Sequence, residues 1–171
     1  EPGSVFKTAS IMTALDDGVV DTNYQVNTGS GVWPMYGREM KDHNWRRGGY
    51  GVLTLPQTLM VSSNIGVSRI IDDHYRNNPE KFVRGIYRTG LADNLRIPLV
   101  GASPARIRMP KKSERGEWTN WSHTALPWMS IGYETQVPPI STLTFYNAIA
   151  NNGRMMRPRF VKQVVKNGEV I

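Results

Sequence analysis

The fold of this chain is organised around one stretch, Glu1-Pro2-Gly3-Ser4-Val5-Phe6-Lys7. Pro2-Gly3 is a turn signal, and the apolar spacing after it predicts a helix over residues 4–15 that ends at Asp16-Asp17-Gly18. Ser4 lies at the predicted N-terminus of this helix, where capping is the ordinary role of a serine. The apolar flank of the helix is predicted to contain Val5, Ile11, Met12, Ala14 and Leu15.

Lys7 gives Ser4 a second interpretation. Residues three apart share a helix face, so the lysine amine can reach the serine hydroxyl. The positive end of the helix dipole disfavours a cation there, and desolvation would lower the lysine pKa further, toward a neutral amine that can act as a base. The same helix end would stabilise the oxyanion that forms when Ser4 attacks a carbonyl. The stretch therefore predicts a serine nucleophile with a lysine base.

A second polar junction follows further along the chain. Residues 19–53 are predicted to form a long looped segment with short strands at most. Thr54-Leu55-Pro56-Gln57 then matches a capping box, which starts a short helix. Ser62 and Asn64 interrupt the apolar pattern before it resumes at Ile65. Asn64 is a candidate cap for the second helix, whereas Ser62 has no obvious capping role. We expect both side chains to project into a cleft.

These two motifs, in this order, resemble those of penicillin-binding protein transpeptidases: Glu-Pro-Gly-Ser-Val-Phe-Lys at 1–7 and Ser-Ser-Asn-Ile-Gly-Val-Ser at 62–68. Asp42 resembles the family's aspartate ahead of its second-motif helix, and Ser-Ile-Gly-Tyr at 130–133 resembles its Gly-Tyr-Gly segment. Because Asn64 ends the second motif and Gly-Val-Ser follows, the chain is most similar to the class B, cell-division type.

The resemblance implies an α/β fold, that of the DD-peptidases and serine β-lactamases. Residues 1–171 would form a partial transpeptidase domain without its N-terminal strands and Lys-Thr-Gly strand, mostly the helical part with the start of a C-terminal β-hairpin at Asn167-Gly168. Arg88-Thr89-Gly90 is not this third motif, because it ends a predicted helix. Glu134 and Ala102 depart from the family pattern, at positions where a second glycine and an acid are usual.

The implied reaction is peptidoglycan cross-linking by acyl transfer. Ser4 would attack the D-Ala-D-Ala amide of a stem peptide, and Lys7 would take the serine proton. Ser62 would relay protons to the leaving amine, and the Asn64 amide would bind the backbone of the substrate or of a β-lactam. No cofactor is implied. Because one oxyanion donor would come from the absent strand, the isolated chain is expected to be weakly active or inactive.

The resemblance also implies partners and a location. The partners would be D-Ala-D-Ala stem peptides, β-lactam antibiotics and other cell-division proteins. The location would be the inner membrane, with this domain facing the periplasm and anchored only through an N-terminal segment absent from this chain.

Composition excludes several classes of site. The chain has 171 residues, 39% of them hydrophobic, and no cysteine, which excludes disulfides and thiolate metal sites. Its net charge of +7 is spread over scattered Lys and Arg residues without aromatic interleaving, which favours a solvated basic face over nucleic-acid binding. His43, His74 and His123 lack metal-ligand spacing, so no metal is predicted. No apolar run is long enough for a bilayer span.

Two further helices and one strand are predicted. Asn78-Pro79-Glu80 starts a helix that Gly90 ends, and a second helix covers residues 140–151. Residues 160–165 predict a strand. The buried stripe of the first helix would contain Phe82, Val83, Ile86 and Tyr87, and the apolar residues of the second are Ile140, Leu143, Ile149 and Ala150.

Two other functions stay open at this stage. A serine β-lactamase or β-lactam sensor shares the Ser-x-x-Lys motif, although the sequence offers no obvious deacylating base. A non-catalytic binding or scaffold module with a decayed site, basic enough to hold an anionic polymer, is the second. Acylation of Ser4 by a penicillin, and the lifetime of the adduct, distinguish these functions.

Overall fold

The computed structural model describes residues 1–170 and mixes short helices with short strands. The helices are α1 (Lys7–Asp16), α2 (Leu55–Met60), α3 (Asn64–Tyr75), α4 (Pro79–Arg88), α5 (Ala125–Ser130) and α6 (Pro139–Ala150), with 3-10 turns at Gly3–Phe6 and Trp45–Arg47. The strands are β1 (Gln25–Asn27), β2 (Val32–Met35), β3 (Arg38–Lys41), β4 (Val52–Thr54), β5 (Arg106–Ile107), β6 (Thr135–Gln136), β7 (Val165–Lys166) and β8 (Glu169–Val170).

All strands pair antiparallel in two-stranded ladders. β1 pairs with β4, with Val26 opposite Leu53, and β2 pairs with β3. These two ladders confirm the looped segment with short strands that the sequence predicts before α2. β5 pairs with β6, and β7 with β8 in the hairpin expected around Asn167-Gly168. The strand predicted over residues 160–165 is only Val165–Lys166, so that prediction is largely wrong.

The core lies between helices. α3 carries fully buried aliphatic side chains, among them Ile65, Ile70 and Ile71, and it packs against α1, α4 and α5. Phe6 and Phe82 contribute aromatic rings from the α1 and α4 sides of this core. Within residues 1–170, no helix combines the length and the apolar character that a bilayer crossing requires.

The helix boundaries follow the capping signals in the sequence. Thr54 and Gln57 form both hydrogen bonds of the capping box at α2. Asn78 accepts a hydrogen bond from the Lys81 N–H at 3.3 Å and caps α4. Gly90, in the left-handed region at φ 76°, follows the end of α4. These starts and stops confirm predictions made from side-chain chemistry alone, because a local hydrogen bond is formed whatever the distant packing.

Apolar spacing identifies the buried face of α1 only in part. In α1, Ile11 and Ala14 are buried as expected, but the other predicted apolar positions are exposed. Polar side chains occupy the interior instead: Ser10 is fully buried and donates to the Ser130 carbonyl at 2.8 Å. A hydrogen-bonded polar group can be buried at little cost, which apolar spacing does not reveal. The predicted positions that are exposed are Val5 in the 3-10 turn, Met12 and Leu15 in α1 and Tyr87 in α4; in α6 the apolar residues Leu143, Ile149 and Ala150 are also exposed.

Candidate active site

Ser4 lies in the 3-10 turn Gly3–Phe6, immediately before α1. The residue is exposed, and the turn has no side-chain capping hydrogen bond. The Lys7 N–H donates to the backbone carbonyl of Ser4 and not to its hydroxyl. The capping role expected from the position of Ser4 is therefore wrong. Its hydroxyl is presented on the surface at the start of the helix.

Two distant segments fix the backbone of this turn. The Gly3 N–H donates to the Gly132 carbonyl at 3.1 Å. Gly132 has φ 88°, and a Cβ there would lie 2.1 Å from the Gly3 carbonyl oxygen, so the contact requires glycine. On the other side, the Tyr146 hydroxyl of α6 donates to the Val5 carbonyl at 2.9 Å. Sequence reasoning missed Tyr146, because nothing in its local pattern distinguishes it from other tyrosines on a helix.

Lys7 is the first residue of α1, and only 2% of it is exposed. Its Nζ donates to the backbone oxygen of Ser62 at 2.6 Å and to the Ser62 hydroxyl at 3.0 Å. Burial lowers the pKa of Lys7 to about 8, although the negative charge of Asp42 acts to raise it. Among residues 1–170, no hydrogen bond joins this amine to the Ser4 hydroxyl. Lys7 therefore links the start of α1 to the second polar junction at Ser62.

Ser62 lies between α2 and α3 in a strained conformation. Its φ of 52° places it in the left-handed region, which non-glycine residues rarely adopt. Its N–H donates to the Leu59 carbonyl at 3.0 Å, and its own carbonyl accepts from Lys7. This backbone geometry lets Ser62 offer both its carbonyl and its hydroxyl to the same amine.

Ser63, and not Asn64, caps α3. The Ser63 hydroxyl accepts a hydrogen bond from the Gly66 N–H at 2.8 Å, whereas Asn64 is already the first residue of the helix. The capping role predicted for Asn64 is therefore wrong. Its side-chain amide instead donates to the carbonyl of Lys41, the last residue of β3, at 2.8 Å. Asn64 stays half-buried, two residues after Ser62.

Asp42 completes the polar network from the end of β3. It is 1% exposed, and both of its carboxylate oxygens accept from the Ser63 hydroxyl, at 3.0 and 2.9 Å. The Ile65 N–H adds a further hydrogen bond at 3.0 Å. The local sequence around Asp42 does not indicate this role, because the contact with Ser63 bridges 21 positions of the chain.

The arrangement joins an exposed hydroxyl, a buried amine and a second hydroxyl. Lys7 follows Ser4 by one helical turn and binds Ser62 directly. An amine whose pKa is lowered to about 8 is partly neutral at mildly alkaline pH and can then accept a proton. Within residues 1–170, no group of three or more His, Asp or Glu side chains is placed to hold a metal ion. The chemistry that these side chains can perform is nucleophilic attack with general-base assistance.

Comparison with known proteins identifies the family. The family described as the penicillin binding protein transpeptidase domain matches residues 1–170 of the chain. The chain belongs to this family. Its relatives include a probable peptidoglycan D,D-transpeptidase, PbpC of Pseudomonas aeruginosa, which is 30% identical over 91% of the chain. The peptidoglycan D,D-transpeptidase FtsI of Escherichia coli is 32% identical over 96% of it. This transpeptidase-family chain spans 25% of the length of each of these two relatives.

Solved structures agree with this family assignment. The transpeptidase domain of penicillin-binding protein 3 from Burkholderia pseudomallei has a TM-score of 0.75 and 30% identity, covering 92% of this chain and 43% of that one. A structure described as a peptidoglycan glycosyltransferase from Burkholderia ambifaria has a TM-score of 0.76 and 29% identity, covering 100% and 49%. The fold is thus the α/β fold of penicillin-binding transpeptidase domains, as the sequence predicted.

Proposed function

We propose that this transpeptidase domain cross-links peptidoglycan through a serine acyl-enzyme on Ser4. The observation that carries the proposal is the buried Lys7 amine, which binds Ser62 and has a pKa lowered to about 8 by burial. A lysine that is costly to keep charged, one turn from an exposed serine, supports a role as base better than a structural role. The substrate class is the D-Ala-D-Ala stem peptide.

The acylation step uses both hydroxyls. As the Ser4 hydroxyl oxygen bonds to the carbonyl carbon of the penultimate D-Ala, its proton passes to the neutral Lys7 amine. The amide C–N bond then breaks, and the leaving D-Ala amine takes a proton that the Ser62 hydroxyl relays from Lys7, since the two are 3.0 Å apart. The product is an ester on Ser4 and free D-Ala.

Deacylation runs the same proton path in reverse. An amine from a neighbouring stem peptide attacks the ester, gives up a proton to Lys7 and forms the cross-link, while the Ser4 oxygen leaves and is reprotonated. The Asn64 side chain, whose amide donates to the Lys41 carbonyl, is proposed to bind the backbone of the stem peptide or of a β-lactam. A β-lactam would acylate Ser4 by the same attack, its ring amide replacing the D-Ala-D-Ala amide.

The biological setting is proposed from the relatives. A peptidoglycan substrate places the domain on the periplasmic side of the inner membrane, and similarity to FtsI favours cell-division proteins as partners. Residues 1–171 are proposed to form part of a transpeptidase domain, as expected from the sequence.

Acylation by a fluorescent penicillin tests this function in the full-length natural protein. The wild type should gain one covalent penicillin, and Ser4→Ala should lose it completely, because no other group is proposed to form the ester. Ser103→Ala removes another exposed serine and should leave labelling unchanged. Absence of an adduct on the wild type would contradict the proposal. Rapid loss of the adduct by hydrolysis would indicate a β-lactamase instead.

A further inference from the structure

The carboxylate of Asp42 is buried at the N-terminus of α3 but belongs to a different part of the chain. Its oxygens accept two hydrogen-bond contacts from the Ser63 hydroxyl and one from the Ile65 N–H. A carboxylate at a helix N-terminus is favoured by the helix dipole and by the unpaired N–H groups there. Asp42 therefore ties the end of β3 to the start of α3.

These hydrogen bonds of Asp42 also affect Ser62, the residue next to Ser63. Ser62 has φ 52°, and a non-glycine residue stays in that region only when its surroundings hold it there. On one side the Ser63 N–H donates to the Thr58 carbonyl at 2.9 Å, and on the other the Ser63 hydroxyl is held by Asp42. Fixing Ser63 in this way holds the Ser62 carbonyl and hydroxyl against the Lys7 amine.

The charge of Asp42 acts on the same amine. Desolvation lowers the pKa of Lys7, and Asp42 is the charged group that opposes this effect. The residues beside Asp42 have other partners, since Lys41 pairs with Glu39 at 2.8 Å and His43 contacts the Tyr50 hydroxyl. The balance between burial and the Asp42 charge leaves the Lys7 pKa at about 8.

We propose that Asp42 is a positioning residue of this active site: through Ser63 it holds Ser62 against Lys7, and it faces the Lys7 amine with a negative charge. The inference rests on the proposed function of Ser4, Lys7 and Ser62. Asp42 has no hydrogen bond to Ser4, Lys7 or Ser62 among the described residues and acts through its neighbours. Its hydrogen bonds and its charge make separable contributions, which two substitutions distinguish.

Asp42→Asn removes the charge, whereas Ser63→Ala removes the contacts between Ser63 and Asp42 and leaves the charge and the Ile65 N–H hydrogen bond in place. The rate constant of acylation by a fluorescent penicillin is measured from pH 5.5 to 10 in the full-length protein. We expect Ser63→Ala to lower the high-pH plateau by about 10- to 100-fold, because Ser62 is misplaced, and Asp42→Asn to lower it less, because the Asn oxygen can still accept from Ser63. Only Asp42→Asn should also move the midpoint of the pH profile, toward lower pH by about half a unit or more.

Titration of the Lys7 side-chain nitrogen by ¹⁵N NMR gives a readout that needs no activity. The Lys7 pKa should fall in Asp42→Asn and stay near the wild-type value in Ser63→Ala. Ser63→Thr keeps the hydroxyl and should restore more of the plateau than Ser63→Ala. A purely structural role of Asp42 would lower the rate without moving the midpoint or the Lys7 pKa.

The outcomes separate this inference from the proposed function. An unacylated wild type contradicts the proposed function, while the NMR titration still decides whether Asp42 sets the Lys7 pKa. An acylated wild type with an unchanged midpoint and pKa in Asp42→Asn overturns the role of the charge. If Asp42→Asn does not fold, Ser63→Ala still tests whether the Ser63–Asp42 contact positions Ser62. An acylation rate at high pH equal to that of the wild type in Ser63→Ala would overturn the inference.

Discussion

The two ends of α1 each carry a largely buried charged side chain, but the surroundings affect the stability of the two charges in opposite ways. At the N-terminal end, Lys7 is almost fully buried, and desolvation lowers its pKa to about 8. At the C-terminal end, burial alone would raise the pKa of Asp17, but hydrogen bonds from Tyr75 and Arg88 and the nearby charges of Lys81 and Arg88 outweigh it, and the pKa is lowered. Keeping Lys7 charged therefore lowers the stability of the fold, whereas the charge of Asp17 raises it.

The difference separates the candidate active-site cluster around Lys7 from the cluster around Asp17, which joins three helices. The Asp17 carboxylate accepts from the Tyr75 hydroxyl at 2.8 Å and from Arg88 at 2.7 Å, which joins α1 to α3 and α4. The Lys7 amine instead donates to a residue in a strained conformation, Ser62. Stability and reactivity make opposite demands on a buried charge, and natural sites accept lower stability where a reactive group is needed.

The largest expected effect is that of Lys7→Met. Acylation should fall by about 10²- to 10⁴-fold, because the proposed base is lost. Stability should nevertheless rise: moving the lysine pKa from 10.5 to about 8 costs about 3 kcal/mol at pH 7, and the lost hydrogen bonds to Ser62 offset only part of this. Urea unfolding at pH 7 should show a gain of about 1 to 2 kcal/mol.

The sign of the pH dependence follows from the lowered pKa. Below pH 8 both folded and unfolded chains carry a charged Lys7, so the cost to the wild type is complete. Between 8 and 10.5 the unfolded chain binds more protons, wild-type stability rises, and the advantage of Lys7→Met should shrink. As a control, Lys81→Met removes a half-exposed lysine 3.6 Å from Asp17 and should change stability by less than about 0.5 kcal/mol. A Lys7→Met variant that is less stable than the wild type at pH 7 would show that the charge of Lys7 does not lower the stability of the fold.

Asp17→Asn tests the other end of the helix. Because the side chain is 8% exposed and the charge is paired, stability should fall by about 1 to 3 kcal/mol, with the acylation pH profile unchanged. A lowered carboxyl pKa stabilises the fold above the ordinary value of 3.8, and this contribution is lost as the pH falls below it. The stability difference between Asp17→Asn and the wild type should therefore disappear in acid.

Asp16→Asn is a matched control for that prediction. Asp16 contacts the same Arg88 at 3.1 Å, but its side chain is 70% exposed. Its removal should change stability by less than about 0.5 kcal/mol, because exposed ion pairs are screened by water. Equal losses for the two aspartates, measured by urea unfolding, would show that burial does not explain the strength of the Asp17 cluster.

A modest effect is expected of Tyr146→Phe, which removes the hydrogen bond to the Val5 carbonyl beside Ser4. Acylation should fall a few-fold, about 2- to 10-fold, with a stability loss of at most about 1 kcal/mol. Tyr87→Phe loses a similar bond, 2.8 Å long, to the Ile107 carbonyl and should lower stability alone. If both variants acylate equally well, Tyr146 does not support the turn of Ser4.

Much of the site is encoded locally, but its contacts are not. The spacing of Ser4 and Lys7 and the polar junction at Ser62 are visible in the sequence, because each motif lies within a few residues. The partner of the Lys7 amine is 55 positions away, so local pattern could place the amine near Ser4 but could not identify Ser62 as the group it binds. The cap of α3 has a different explanation: Ser63 and Asn64 are adjacent polar residues, and the local pattern did not show which of them accepts from the Gly66 N–H.

Arg88-Thr89-Gly90 and the motif at Ser62 differ in what their hydroxyl groups bind. Both segments carry a hydroxyl at a helix end. The Thr89 hydroxyl donates to the Ile86 carbonyl of its own helix, and Arg88 is held by Asp16 and Asp17, as befits the helix end that the sequence predicted there. A hydroxyl satisfied within its own helix is not available to a distant amine.

The sequence by itself determined the family, the helix starts and the residue types of the site, because capping signals and short motifs act over a few residues. Only the tertiary structure decided which faces α1 and α6 bury and where the Lys7 charge is held. Burial and electrostatics depend on groups brought together from distant positions, as with Lys7, Ser62 and Asp42. A lysine with an ordinary pKa in the unfolded chain becomes a candidate base only when the fold removes water from around it.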